Sequence, residues 1–161
     1  MTVLVAYASK HGSTRAIAER IAETLTQHGT EASVQPVESV KDAKFEAAVV
    51  GSAVYYGSWM KEAAQFMERN LTALAEHPVW LFSSGPTGDA ALPEPKDVTR
   101  FRESIHPRDH RVFAGALDRK KLGFAERTIV KAVKAPEGDF RDWGEVEAWA
   151  ESIAQQLGRP S

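Results

Sequence analysis

The chain has no cysteine among its 161 residues, which excludes disulfides, thiolate metal sites and cysteine nucleophiles at once. Its five histidines lie scattered at 11, 28, 77, 106 and 110. No two fall at ligand spacing on one predictable face, so no metal site is expected. Long apolar runs are missing too. Nothing approaches the roughly 20 residues that a membrane-spanning helix needs, and the N-terminus enters a strand almost at once instead of showing a secretory leader, so a cytoplasmic location is expected. Internal repeats and low-complexity tracts are absent. Neither sign of charge is in excess: 20 Lys/Arg stand against 22 Asp/Glu, for a net charge of −2. Basic residues are not interleaved with aromatics and no nucleic-acid-binding motif occurs, so nucleic acid is not an expected partner. What is left is an ordinary composition and a length that suits one domain, residues 1–161, with a core of its own.

Apolar periodicity and punctuation alternate strand with helix along nearly the whole chain. Val3-Leu4-Val5-Ala6-Tyr7 lies in a first strand at about 2–7, followed by a helix over about 13–28 that ends at Gly29, a residue suited to a C-terminal cap. Ala32 to Pro36 alternates, and its proline marks an edge strand. Phe45 to Gly51 includes Ala47-Ala48-Val49-Val50, an apolar run suited to a strand buried on both faces. Residues 52–58 read as a loop, and a helix over about 60–75 carries Ala63, Phe66, Met67, Leu71 and Leu74 at helical spacing. A strand follows over 78–83, then a helix over 96–105 and a strand over 111–117. A short amphipathic helix near 122–133 and a closing helix over 143–157 complete the pattern. Five strands joined by helices or long crossovers imply an α/β fold, a parallel sheet with helices on both faces. In doubly wound sheets ligands bind beyond the carboxyl ends of the strands, where strand order reverses. The loops there are 9–14, 52–58 and 83–89, the three richest in Ser, Thr and Gly.

The first of these loops, Ser9-Lys10-His11-Gly12-Ser13-Thr14, joins a strand to a helix. The N–H groups of a first helical turn have no partners of their own and carry partial positive charge. Ser9, Ser13 and Thr14 add hydroxyls, and Gly12 permits a tight turn, so a phosphate group is the expected ligand. Several phosphate binders fail on particular residues. There is no Gly-x4-Gly-Lys-Ser/Thr run and no G-x-G-x-x-G fingerprint. A phosphatase loop would need a cysteine, and a receiver domain would need carboxylates where Tyr7-Ala8-Ser9 and Gly51-Ser52-Ala53 stand. A mononucleotide with a large flat ring remains. The second loop supplies Tyr55 and Tyr56 to stack on such a ring, with Gly57 allowing close approach. Trp59 reads as packing at the start of the next helix. The third loop, Ser83-Ser84-Gly85-Pro86-Thr87-Gly88-Asp89, offers small residues and backbone amides for the polar edge of the ring.

Ser9 to Thr14 resembles the phosphate loop of flavodoxins, whose usual form is Ser/Thr-x-Ser/Thr-Gly-x-Thr, with His11 in place of the second hydroxyl. Val50-Gly51-Ser52-Ala53-Val54-Tyr55-Tyr56-Gly57 is similar to the ring-binding loop of one flavodoxin-like branch, the menaquinone-dependent protoporphyrinogen oxidases. So are Val112-Phe113-Ala114-Gly115-Ala116-Leu117 and Asp142-Trp143. The likeness runs over almost the whole chain. It implies a flavodoxin-like doubly wound five-stranded parallel sheet of order 2-1-3-4-5 with helices on both faces, and FMN as cofactor. The FMN phosphate would sit on Ser9, Lys10, His11, Gly12, Ser13 and Thr14. Its ring would lie between Ala53, Val54, Tyr55, Tyr56 and Gly57 on one side and Ser83 to Asp89 on the other. The third loop departs from the branch by lacking a stacking aromatic, and segment 118–141 is shorter than the branch's insertion, which is associated with membrane or quinone contact.

The implied function is an FMN redox protein, an oxidoreductase of the quinone-dependent protoporphyrinogen oxidase type, with a quinone or porphyrinogen as substrate and no side chain acting as general acid or base. The alternatives are a flavodoxin-type one-electron carrier between protein partners and a binding module without cofactor. One further feature bears on partners. Residues 108–134 hold eight Lys/Arg against three acids, a basic strip suited either to a solvated helix face or to peripheral contact with anionic lipid.

Overall fold

A computed structural model describes residues 2–9, 12–40, 45–55, 57–85, 95–114, 116–117, 138–139 and 143–158. Strand β1 (Thr2–Ala8) is buried from Val3 onward and lies inside the sheet, one strand from its edge. Helix α1 (Ser13–Gln27) follows and stops at Gly29, whose φ of +84° lets the chain turn back while the Thr30 N–H closes on the Leu25 carbonyl at 2.9 Å. Strand β2 (Glu31–Pro36) pairs only with β1, as its proline requires of an edge. The principal strands that follow are β3 (Ala47–Tyr55), β5 (Val79–Gly85) and β6 (Asp109–Ala114). All five run parallel, in the order β2-β1-β3-β5-β6, which is the expected doubly wound order.

The pleat sends alternate residues to opposite faces and so divides the core in two. Val3, Val5, Val49, Trp80 and Phe82 pack under α1 and the C-terminal helix α5 (Trp143–Leu157), against Ile17, Ile21, Leu25, Trp149 and Ile153. Leu4, Ala6, Ala48, Val50 and Leu81 pack on the other face under α2 (Lys61–Arg69), α3 (Leu71–Glu76) and α4 (Lys96–Ile105), meeting Phe66, Met67, Leu74 and Phe101. Phe82, Phe113 and Trp149 form an aromatic triangle with ring centroids 5.5 to 6.3 Å apart. Gly51 makes room for it. A Cβ at that position would lie 2.1 Å from the Phe82 ring.

Three boundaries differ from expectation. The segment 52–58 is not a plain loop: β3 continues to Tyr55, and the chain returns as β4 (Ser58–Trp59), with Val54 opposite Trp59 and Tyr55 opposite Ser58. The helix expected over 60–75 breaks at Asn70, where φ −117° and ψ 20° leave the helical range and the side-chain amide donates to the Phe66 carbonyl at 2.8 Å. Its apolar period carries across the break because both pieces pack on the same face. The strand expected over 111–117 pairs with β5 only to Ala114; β7 (Ala116–Leu117) instead pairs antiparallel with β8 (Gly138–Asp139). The helix expected near 122–133 lies outside the described residues. No helix among the described residues is long and apolar enough to cross a membrane.

Candidate functional site

Register brings the three loops together. Ala8, Ser52 and Ser83 stand side by side on β1, β3 and β5, so the chain leaves all three strands at one edge of the sheet, within about 10 Å at the usual strand spacing. From β1 the chain goes to β2 on one side and then crosses to β3 on the other. The reversal of strand order therefore falls between β1 and β3, where a doubly wound sheet has its crevice.

At the end of β1 the backbone turns at Gly12, with φ +87° and ψ −9°, a conformation that costs an L-residue with a side chain about 1–2 kcal/mol. The Ser9 hydroxyl accepts the Gly12 N–H at 3.0 Å and retains its own hydrogen to donate elsewhere. The Gly12 carbonyl takes the first helical bond, from Ala16 N–H at 3.1 Å. The N–H groups of Ser13, Thr14 and Arg15 precede the first helical acceptor. No side chain caps this end, and its first turn holds no acid. Thr14 is 1% exposed, and its Oγ1 is, among the described residues, the one buried side-chain polar atom without a hydrogen-bond partner. Arg15 adds a fixed positive charge: the hydrogen bond from its Nε to Glu19 at 2.7 Å, then the charges of Tyr7 and Glu19, hold its pKa above the ordinary value. N–H groups ahead of the first helical acceptor, the Ser9 hydroxyl and a buried Thr14 hydroxyl with no partner among the described residues fit a phosphate monoester. Carboxylates, which would repel one, are absent from the first turn.

The second loop is a tight hairpin tied down on all sides. Gly57 turns it at φ +75°. Met60 N–H donates to the Ser52 hydroxyl at 2.9 Å, Trp59 N–H to Asp97 Oδ2 at 2.9 Å, and Lys96 N–H to the Gly57 carbonyl at 3.3 Å. Trp59 is buried beside Phe101, and its indole N–H donates to the Ser83 hydroxyl at 2.9 Å. That hydroxyl in turn lies 2.7 Å from His110 Nε2.

Of the residues singled out from sequence, Ser9, Gly12, Thr14, Ala53, Val54, Gly57, Ser83, Ser84 and Gly85 stand at this sheet edge. The backbones of Ser13 and Tyr55 stand there with them. Lys10, His11, Tyr56, Pro86, Thr87, Gly88 and Asp89 lie outside the described residues. Ser83 is fully buried with its hydroxyl committed to Trp59 and His110, so only its backbone faces the edge on offer. Trp59 packs, as expected, but from the returning strand of the hairpin. Asp97 and His110 carry no signal in the sequence. A buried tryptophan demands an acceptor for its indole N–H, yet nothing in the local pattern says which residue, 24 positions away, provides it.

Comparison with known proteins agrees with this geometry. The flavodoxin domain model matches residues 4–143. Protoporphyrinogen IX dehydrogenase (quinone) of Escherichia coli strain K12 is 23% identical over an alignment that covers 100% of this chain and 99% of that protein. A flavodoxin from the domain Archaea superposes with a TM-score of 0.69 at 18% identity, covering 99% of this chain and 100% of the other. A cysteine-to-serine mutant of flavodoxin from Pseudomonas aeruginosa superposes with a TM-score of 0.65 at 19% identity, covering 99% of this chain and 100% of that one. This chain belongs to the flavodoxin domain family, with the flavodoxin-like fold and FMN as its cofactor.

Proposed function

We propose that this flavodoxin-type redox protein is an FMN-dependent oxidoreductase of the quinone-dependent protoporphyrinogen oxidase type. The FMN phosphate would be held by residues 9–14, and the ring would lie between residues 53–57 and 83–89. The observation that carries the phosphate assignment is the buried Thr14 hydroxyl without an acceptor, beside open helical N–H groups. The choice of reaction rests on the end-to-end relation to the Escherichia coli dehydrogenase. FMN supplies the electron transfer when bound. The chain's own residues bind the phosphate, orient the ring through the tied hairpin and exclude water behind it with Trp59 and Phe101. Electrons would pass from a porphyrinogen-type donor to a quinone, which leaves as quinol.

The test is to load the protein with FMN and follow oxidation of protoporphyrinogen with a menaquinone analogue under anaerobic conditions. Stoichiometric FMN with quinone-dependent turnover is expected; bound FMN without turnover on either substrate would refute the oxidase assignment. The second reading, a one-electron carrier, is supported by full-length similarity to flavodoxins. Photoreduction in two well-separated stages, without quinone turnover, would favour it. A peripheral membrane contact through residues 108–134 belongs to the same proposal and is tested by flotation with anionic vesicles at low salt, where failure to bind would remove it.

A further inference from the structure

We propose that Trp59 is a positioning residue for the flavin ring, a buried strut that fixes the returning strand of the hairpin against β5 through Ser83 and His110. The proposal rests on the FMN reading above. Trp59 belongs to the hairpin after β3, and Ser83 to the end of β5. The bond between them therefore ties the returning strand of the hairpin to β5, two residues before that strand ends at Gly85. Its ring is only 4% exposed and packs against Phe101, so it cannot itself stack on a ligand.

Donor accounting gives the link its direction. An indole nitrogen can only donate, so the Ser83 oxygen accepts from Trp59, and the same buried hydroxyl shares a second hydrogen bond with His110 Nε2 at 2.7 Å, its direction following the imidazole tautomer. The backbone of Trp59 is held separately by Asp97. Removing the indole N–H therefore releases the returning strand of the hairpin from β5 while leaving it attached to α4 and leaving the β3–β5 ladder intact.

The experiment compares W59F, S83A, the double variant and T14V with the unaltered protein. It measures FMN dissociation constants, the visible absorption band of the fully loaded protein, its midpoint potential and urea stability. W59F and S83A each remove a bond that exists without ligand, so each is expected to lower urea stability and, through lost preorganisation, to weaken FMN by at most about 10-fold. Both should also displace the absorption band and potential of the loaded form, with the double variant no worse than the single ones. A purely structural role would lower urea stability and leave band and potential unmoved, and that result overturns the proposal. S83A keeps the indole in place, so it decides the matter if W59F fails to fold. If T14V weakens FMN while W59F and S83A bind it with unaltered constant and spectrum, the strut is refuted and the FMN site stands. If neither the unaltered protein nor any variant binds FMN, the underlying reading fails with it.

Discussion

Replacing Thr14 with valine should make the empty protein more stable and its cofactor complex weaker, and the opposite signs are the point. The Thr14 hydroxyl is buried and has no partner among the described residues. A buried hydroxyl without a partner costs about 1–3 kcal/mol. Valine has nearly the same shape and no polar atom, so Thr14→Val should raise the unfolding free energy of the FMN-free protein by roughly 1 kcal/mol. With FMN held as proposed, the same hydroxyl would gain an anionic acceptor, and a hydrogen bond to a charged group contributes about 1.5–3 kcal/mol. Its loss should raise the FMN dissociation constant about 10- to 100-fold. Riboflavin, which has no phosphate, supplies the control: its affinity should be the same for both proteins. Urea unfolding without ligand and fluorescence titration with FMN and riboflavin give all three quantities. A Thr14→Val protein that is less stable when empty, or that binds FMN as tightly as the original, would refute the assignment of this hydroxyl to the phosphate.

Gly51→Ala should destabilise the protein by about 1–3 kcal/mol, because its Cβ meets the Phe82 ring at 2.1 Å within a packed aromatic triangle; an unchanged urea midpoint would contradict this. His106 ends α4 with φ 50°, so His106→Gly should stabilise by about 1 kcal/mol, and a lower urea midpoint would count against strain there. Burial pushes the Asp109 carboxyl up, but hydrogen bonds from Arg111 and Trp149 and from its neighbour's backbone outweigh it, and the pKa lies below the ordinary 3.8. The resulting stabilisation is present above the unfolded value and lost as pH falls through the lower folded one, so Asp109→Asn should flatten the acid limb of the stability curve below the ordinary carboxylate value, as read from urea midpoints.

Elements with a regular period and clear ends are legible from sequence. Lys96–Ile105 and Trp143–Leu157 form helices over the residues expected, and α1 ends where Gly29 permits a left-handed turn. Residues 52–58 mislead because Ser52, Gly57 and Ser58 are turn formers in isolation. They form a hairpin here only because Ser52, Ser83 and Asp97 supply acceptors to the returning strand. Gly51 looks like one more small residue in an apolar strand; the ring that requires it belongs to a neighbouring strand. The first loop is recognisable from its hydroxyls and its glycine, since those residues lie next to one another in the chain. The link from Trp59 through Ser83 to His110 joins residues 24 and 27 positions apart, and no local pattern carries it.

The two described halves of the site are built on opposite principles. At the start of α1 polar groups are left open: N–H groups before the first helical acceptor, and one buried hydroxyl. At the hairpin they are already used, since Ser52, Gly57, Trp59, Ser83 and Asp97 spend hydrogen bonds on one another and on α4. A group already bonded inside the protein can serve a ligand only by breaking that bond, at a cost of about 1 kcal/mol or more. In the proposed site the hairpin side chains would therefore act on FMN through shape and rigidity, whereas the α1 terminus would act through charge-assisted bonds formed with the phosphate. Affinity should then reside chiefly at residues 9–15, and the electronic environment of the ring at the hairpin. A rigid ring slot also carries little reorganisation when the flavin changes charge, which is what a redox site needs and a tight phosphate anchor alone does not provide.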